Sequence, residues 1–280
     1  VARDILAAVQ QALGELFTLE REVGRGGGAR VFLARNQEGA QVALKVLHPE
    51  LAVTVAADRF LREVRLASKL DHPNIATLLD SGERDWVVYY AMTYCPGPTL
   101  REGLTRARML PPEDVTRLAH DLLGALEHAH ARNIVHRDVK PENIVISDGR
   151  TILLDFGIAK AIADSASEHL TRSGVALGTC TYMSPEQIRG LRDIDHRSDL
   201  YSLACVLFEC LAGRPPFVHK VEGIVLQKHL SEEPPPVESL RPETPPGLAA
   251  VIARALAKEP GDRWPTASTM QEALGAKAGV

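Results

Sequence analysis

Residues 134–157, IVHRDVKPENIVISDGRTILLDFG, restrict what this chain can fold into more than any other stretch. Two short apolar runs, 144–146 and 152–154, flank Ser147-Asp148-Gly149-Arg150. That pattern reads as an antiparallel hairpin closed by a tight turn. Such a hairpin would put Asp138 and Asn143 ahead of one strand and Asp155 at the end of the other, so that three oxygen side chains face one cleft. Two of them, Asn143 and Asp155, suit Mg²⁺, which keeps several waters and takes its remaining ligands from phosphates. Asp138 is then left to accept a proton from a hydroxyl, and Lys140 to neutralise charge on a transferring group.

The rest of the chain sets bounds. A length of 280 residues with 45% hydrophobic content allows a substantial core in one large domain or two lobes. A net charge of −4 and a pI near 6.2 give no general reason to expect nucleic acid as a partner. The longest strongly apolar run, 203–208, stops at Glu209, well short of a membrane span. No series of charged, apolar and cleavage-site residues marks a signal peptide. Cys95, Cys180, Cys205 and Cys210 show no CxxC or Cys/His spacing, so reduced thiols in a cytoplasmic setting are expected. The chain does not begin with Met, and a membrane anchor elsewhere in a longer product stays open.

HRDVKPEN at 136–143 and DFG at 155–157 resemble the catalytic and metal-binding loops of eukaryotic-like (Hanks-type) protein kinases. The resemblance implies an α+β fold of two lobes, a small mainly antiparallel β lobe with one key helix and a larger, mainly helical lobe. It divides the chain into a helical extension (1–17), a small lobe with hinge (18–95), a large lobe (96–275) and a tail (276–280). Within the extension, Ile5, Val9, Ala12, Leu13 and Leu16 form one apolar helical stripe, which fits a packing helix or a partner-binding one.

In the small lobe, strands over 19–23 and 31–35 enclose a Gly-rich turn whose backbone N–H groups can approach phosphates. Glycines also make ordinary hairpins. By resemblance, Val23, Gly24, Gly26 and Gly27 cover the nucleotide and Val31 caps the adenine, with Ala29 where a third glycine usually falls. No GxxxxGK[ST] is present. The alternating strand 41–47, QVALKVL, puts Lys45 on the face of Ala43 and Leu47, where a lysine needs an anionic partner. The resemblance assigns Lys45 to the α- and β-phosphates and to a pair with Glu63, and sets Ala43 beside the nucleotide. Glu63 borders the apolar face of a helix over 57–70, where a surface pair with a neighbouring arginine is the other reading. Residues 86–94 read as a strand leaving the lobe, broken by Pro96-Gly97-Pro98. By resemblance Thr93, Tyr94 and Cys95 form the hinge that binds adenine, and Met92 guards the pocket behind it.

In the large lobe, 111–132 reads as a long amphipathic helix, with His120, His128 and His130 as structural residues. Kinases with an arginine at the position of Arg137 commonly need a phosphorylated activation segment. Thr171 and Ser173 are the matching acceptors in that segment. Thr179 is expected to bond Asp138 and Lys140, a feature of Ser/Thr kinases, and Ser184-Pro185-Glu186 resembles the end of the substrate-docking segment. Asp199 opens an apolar helix over 200–211, where a carboxylate can accept backbone N–H bonds. The resemblance also has it brace the catalytic loop, and has Arg263 pair with Glu186.

Together these readings imply a bacterial-type serine/threonine protein kinase using ATP and Mg²⁺, with Mn²⁺ as an alternative. Protein substrates are the expected partners, with self-association for autophosphorylation in trans. A non-catalytic scaffold would lack Lys45, Asp138 or Asp155, and all three are present. Lys140, Thr179 and the SPE segment favour a polypeptide acceptor over a small molecule.

Overall fold

The computed structural model describes residues 2–26, 29–48, 61, 64–65, 67–156, 180–191 and 193–275. The chain forms two compact units, one of residues 1–72, 76–95 and 157–178, the other of residues 73–75, 96–156 and 179–280.

The first unit is built on a five-stranded antiparallel sheet. Its strands are β1 (Phe17–Arg25), β2 (Ala29–Asn36), β3 (Gln41–Leu47), β4 (Leu78–Arg84) and β5 (Val87–Thr93), in the order β1-β2-β3-β5-β4. The period of two in QVALKVL decides both faces, because successive side chains on a strand point to opposite sides. Val42, Leu44 and Val46 join Phe32, Ala34, Tyr89 and Ala91 on one face. Ala43 and Leu47 join Val64, Val88, Tyr90 and Met92 on the other.

The first face is covered by α1 (Ala2–Leu13), which buries Val9, Ala12 and Leu13 against it. The helix ends four residues before the expected extension does. Leu16 bonds back to the Leu13 carbonyl in a turn, and Phe17 already belongs to β1, where it packs edge-on against Tyr89. Trp86 is not a strand residue. It forms with Asp85 a two-residue turn between β4 and β5, both residues at positive φ.

The second unit is mainly helical. It comprises α2 (Leu100–Ala107), α3 (Pro112–His130), the hairpin β6 (Ile144–Ser147) and β7 (Arg150–Leu153), α4 (Pro185–Ile188), α5 (Arg197–Ala212), α6 (Glu222–Ser231), α7 (Pro246–Ala255) and α8 (Ala267–Gly275). The hairpin register runs Ile144↔Leu153 to Ser147↔Arg150, so Asp148-Gly149 is the turn, with φ of 49° and 74°. Two positive φ values are what the type I′ turn needs, and Asp-Gly supplies them at little strain. α5 is buried along nearly its whole length, and α3 and α7 pack against it. It ends at Gly213, which takes φ 71°. None of the helices among the described residues is long and apolar enough to cross a membrane.

Candidate active site

The loop between α3 and β6 carries Asp138, Lys140 and Asn143, and one buried carboxylate holds it in place. Asp199 of α5 has no exposed surface. Its Oδ2 accepts the backbone N–H of His136 and the ring Nε2 of His130, and its Oδ1 accepts the N–H of Arg137, all at 2.8 Å. Burial opposes its ionisation, and the bond from His130 with the neighbouring donors outweighs that, so the carboxyl sits below the ordinary range. The sequence places Asp199 as the opening residue of its helix, and here the structure differs. α5 begins at Arg197, whose amide is taken by Asp195 Oδ1 at 2.9 Å, and the N–H groups Asp199 receives come from the loop instead.

His136 continues the suspension. Its Nδ1 accepts the Asp138 N–H at 3.1 Å and its Nε2 reaches the Leu154 carbonyl at 2.7 Å, which requires the tautomer with the proton on Nε2. Leu154 also bonds through its N–H to the Asn143 carbonyl at 2.9 Å. These links bring the end of β7, and with it Asp155, alongside Asn143. Asp155 takes φ 63°, which is uncommon for a residue with a side chain and concentrates at functional sites.

The Asp138 carboxylate is held from two sides. Lys140 Nζ lies 2.8 Å from Oδ2, and Asn143 Nδ2 donates to the same oxygen at 2.9 Å and to the Asp138 carbonyl at 2.8 Å. Among the described residues both side-chain contacts fall on Oδ2, and the Asp138 side chain is 34% exposed. The two bonds from Asn143 Nδ2 settle the orientation of its amide. A hard divalent cation fits this donor set, with Asn143 Oδ1 and the Asp155 carboxylate as oxygens and water or phosphate completing the shell.

Below the loop, residues 180–186 are pinned to the same helices. Glu186 and Arg263 are both buried and joined by two bonds of 2.7 and 2.8 Å. Arg263 spends its other donors on the carbonyls of Ala257, Arg197 and Lys258, so its charge is fully met. Burial raises the Glu186 carboxyl, the Arg263 bonds lower it by more, and the net direction is down. Gln187 Nε2 donates to the Arg137 carbonyl at 2.8 Å, a tie between this segment and the loop that local sequence does not suggest.

The small unit holds the other expected residues. Gly24 pairs with Val31, Val31 with Lys45, Lys45 with Tyr90 and Ala43 with Met92, so Val31, Ala43, Lys45 and Met92 share one face of the sheet. Gly26 closes its turn by donating to the Ala29 carbonyl at 2.9 Å, and Val23 is exposed at the β-bulge between Glu22 and Gly24. Thr93 ends β5 with its N–H on the Thr77 carbonyl, followed by Tyr94 and by Cys95, whose thiol reaches the Thr93 carbonyl at 3.7 Å. Gly27, Glu63, Thr171, Ser173 and Thr179 lie outside the described residues.

A five-stranded sheet unit, a helical unit and a suspended Asp-Lys-Asn loop define a phosphotransferase of the protein kinase fold. Comparison with known proteins agrees, since the protein kinase domain family matches residues 17–274. The chain belongs to that family, as a catalytic domain of the bacterial Hanks type. It is 40% identical over 267 residues to a probable serine/threonine-protein kinase of Streptomyces coelicolor, covering 92% of this chain and 39% of that protein. It is 40% identical over 269 residues to the serine/threonine-protein kinase PknB of Mycobacterium leprae, covering 94% of this chain and 43% of that protein. For the serine/threonine-protein kinase pkn3 of Myxococcus xanthus the figures are 40% over 278 residues, 95% and 50%. The chain therefore spans half or less of the length of these relatives.

Proposed function

We propose that this domain transfers the γ-phosphoryl group of ATP to serine or threonine hydroxyls of protein substrates. The observation that carries the reading is the Asp138 carboxylate, partly exposed and clamped on one oxygen by Lys140 and Asn143. An acceptor hydroxyl would bond Oδ1 and be turned toward the phosphorus. As the new O–P bond forms and the P–O bond to ADP breaks, the hydroxyl proton passes to Asp138. Lys140, already 2.8 Å from that carboxylate, offsets negative charge on the passing group. Lys45 would hold the α- and β-phosphates. Mg²⁺, or Mn²⁺ in its place, when held by Asn143 and Asp155, screens the phosphate charge. The serine/threonine preference is supported by the likeness to serine/threonine-protein kinases.

Regulation belongs to the same proposal. Arg137 sits at φ 66° with its Nε buried and without a hydrogen-bond partner among the described residues, while one Nη reaches the Ile194 carbonyl at 3.3 Å. A phosphate on Thr171 or Ser173 would supply an acceptor for that guanidinium. Self-association would let one copy modify another, in bacterial signalling and in the cytoplasm, where ATP is available.

The test incubates wild type and Asp138→Asn with Mg·ATP and a generic protein substrate, then locates phosphate by peptide mass spectrometry. Phosphoserine or phosphothreonine in the wild-type reaction alone is expected, with Thr171 or Ser173 among the sites. Equal turnover by the variant removes Asp138 from its role. Bound ATP without transfer to any polypeptide by the wild type would make the domain a binding module.

A further inference from the structure

One guanidinium joins four separate pieces of the helical unit, and the mechanism above does not use it. Arg101 stands in the first turn of α2. That turn is fixed by reciprocal bonds between Thr99 and Glu102, at 2.8 and 3.2 Å, and by a bridge from Thr99 to Val145 of β6. From this anchored position Nε donates to Glu142 Oε1 at 2.8 Å and Nη1 to Glu209 Oε1 at 2.7 Å. Nη2 donates to the Tyr182 hydroxyl, which in turn donates to Glu209 Oε2.

Each partner comes from a different part of the candidate site. Glu142 immediately precedes Asn143, the residue that clamps Asp138. Tyr182 lies in the docking segment, and its carbonyl is held by Ser202 Oγ at 2.7 Å. Glu209 is a buried carboxylate of α5. Glu209 alone needs only one cation, which a lysine would supply as a point charge. Reaching a second carboxylate and a phenol at the same time needs the planar fork of an arginine.

We propose that Arg101 is a positioning residue for the polypeptide acceptor. It holds the docking segment at a set distance from the catalytic loop, so that a hydroxyl bound on one meets Asp138 on the other. The inference rests on the phosphotransfer reading, and it predicts a specific division of effects. Loosening the tie displaces the acceptor and leaves the loop suspended from Asp199 by its own bonds. Peptide KM should therefore rise while ATP KM stays.

Arg101→Ala would leave Glu209 buried without its cation and could fail to fold, so the variants are Arg101→Lys, Tyr182→Phe and the pair combined. Arg101→Lys is expected to raise peptide KM about tenfold, with ATP KM and thermal midpoint close to wild type. The combined variant should lose no more than the worse single one, because both changes cut the same tie. Amide hydrogen exchange should quicken over 180–191 in Arg101→Lys and stay unchanged in the 144–153 hairpin. A wild-type peptide KM in Arg101→Lys, losses that multiply in the combined variant, or unchanged exchange over 180–191 would each overturn the proposal. If the wild type transfers no phosphate, it is the phosphotransfer reading that fails. Exchange alone then decides whether Arg101 holds the segment.

Discussion

Asp138 can be replaced by a residue of the same shape that cannot accept a proton, which separates chemistry from architecture. Asp138→Asn is expected to lower kcat by about 10²–10⁴-fold with ATP affinity within about twofold, checked by turnover and equilibrium binding. Glu186 is the reverse case, a carboxylate whose charge serves the fold. Glu186→Gln leaves the Arg263 guanidinium buried without its counter-ion and should cost about 3–5 kcal/mol, read from urea unfolding. The pH dependence has a definite sign. The Glu186 carboxyl in the folded state lies below the ordinary 4.5 of a free glutamate, so its contribution is fully present above that value. As pH falls below 4.5 toward the folded-state value, the stability gap between wild type and Glu186→Gln should close. The residues that show themselves in the sequence are those in contiguous runs, HRDVKPEN and DFG. Arg101 does not, because its partners lie 41, 81 and 108 residues away and no local pattern connects them. His130 is hidden in the same way, since its partner Asp199 is 69 residues on.

Two tight turns of the same shape show what an element can reveal before it is seen. Asp148-Gly149 in the β6–β7 hairpin joins two short apolar runs with residues that tolerate positive φ, and it is legible for that reason. Asp85-Trp86 makes the corresponding turn between β4 and β5 with a tryptophan at φ 64° and 85% exposed. Aromatic residues favour strands, so Trp86 reads as the first residue of β5, and the pairing of Arg84 with Val87 overrides that preference. Trp86→Gly removes little packing and relieves the left-handed conformation. It should raise stability by about 0.5–1 kcal/mol, measured by the urea midpoint with an unchanged slope. The start of α5 departs from its apolar pattern for another reason. Its apolar run begins at Leu200, whereas the helix is initiated by Asp195, whose side chain takes the first amide.

At the scale of the whole chain, α1 precedes the segment that matches the family and yet forms part of the small unit's core. The apolar stripe was visible in the sequence. The surface it covers was not, because that surface is assembled from β2, β3 and β5. Leu13 is fully buried there. Leu13→Ala should cost about 2–5 kcal/mol in urea unfolding, and a domain cut at residue 16 should be less stable still. The burial of Val9, Ala12 and Leu13 also argues that α1 is a packing element of the small unit.

The three bonds on Asp199 carry a consequence in time. They join α3, α5 and the intervening loop across sequence gaps of 62 to 69 residues, so none can form before those helices have met. Enzymatic competence should thus be among the last properties a refolding chain regains. A denatured sample diluted into buffer would recover its helical dichroism first and its phosphotransfer later, and the lag would time the docking of α5 beneath the loop.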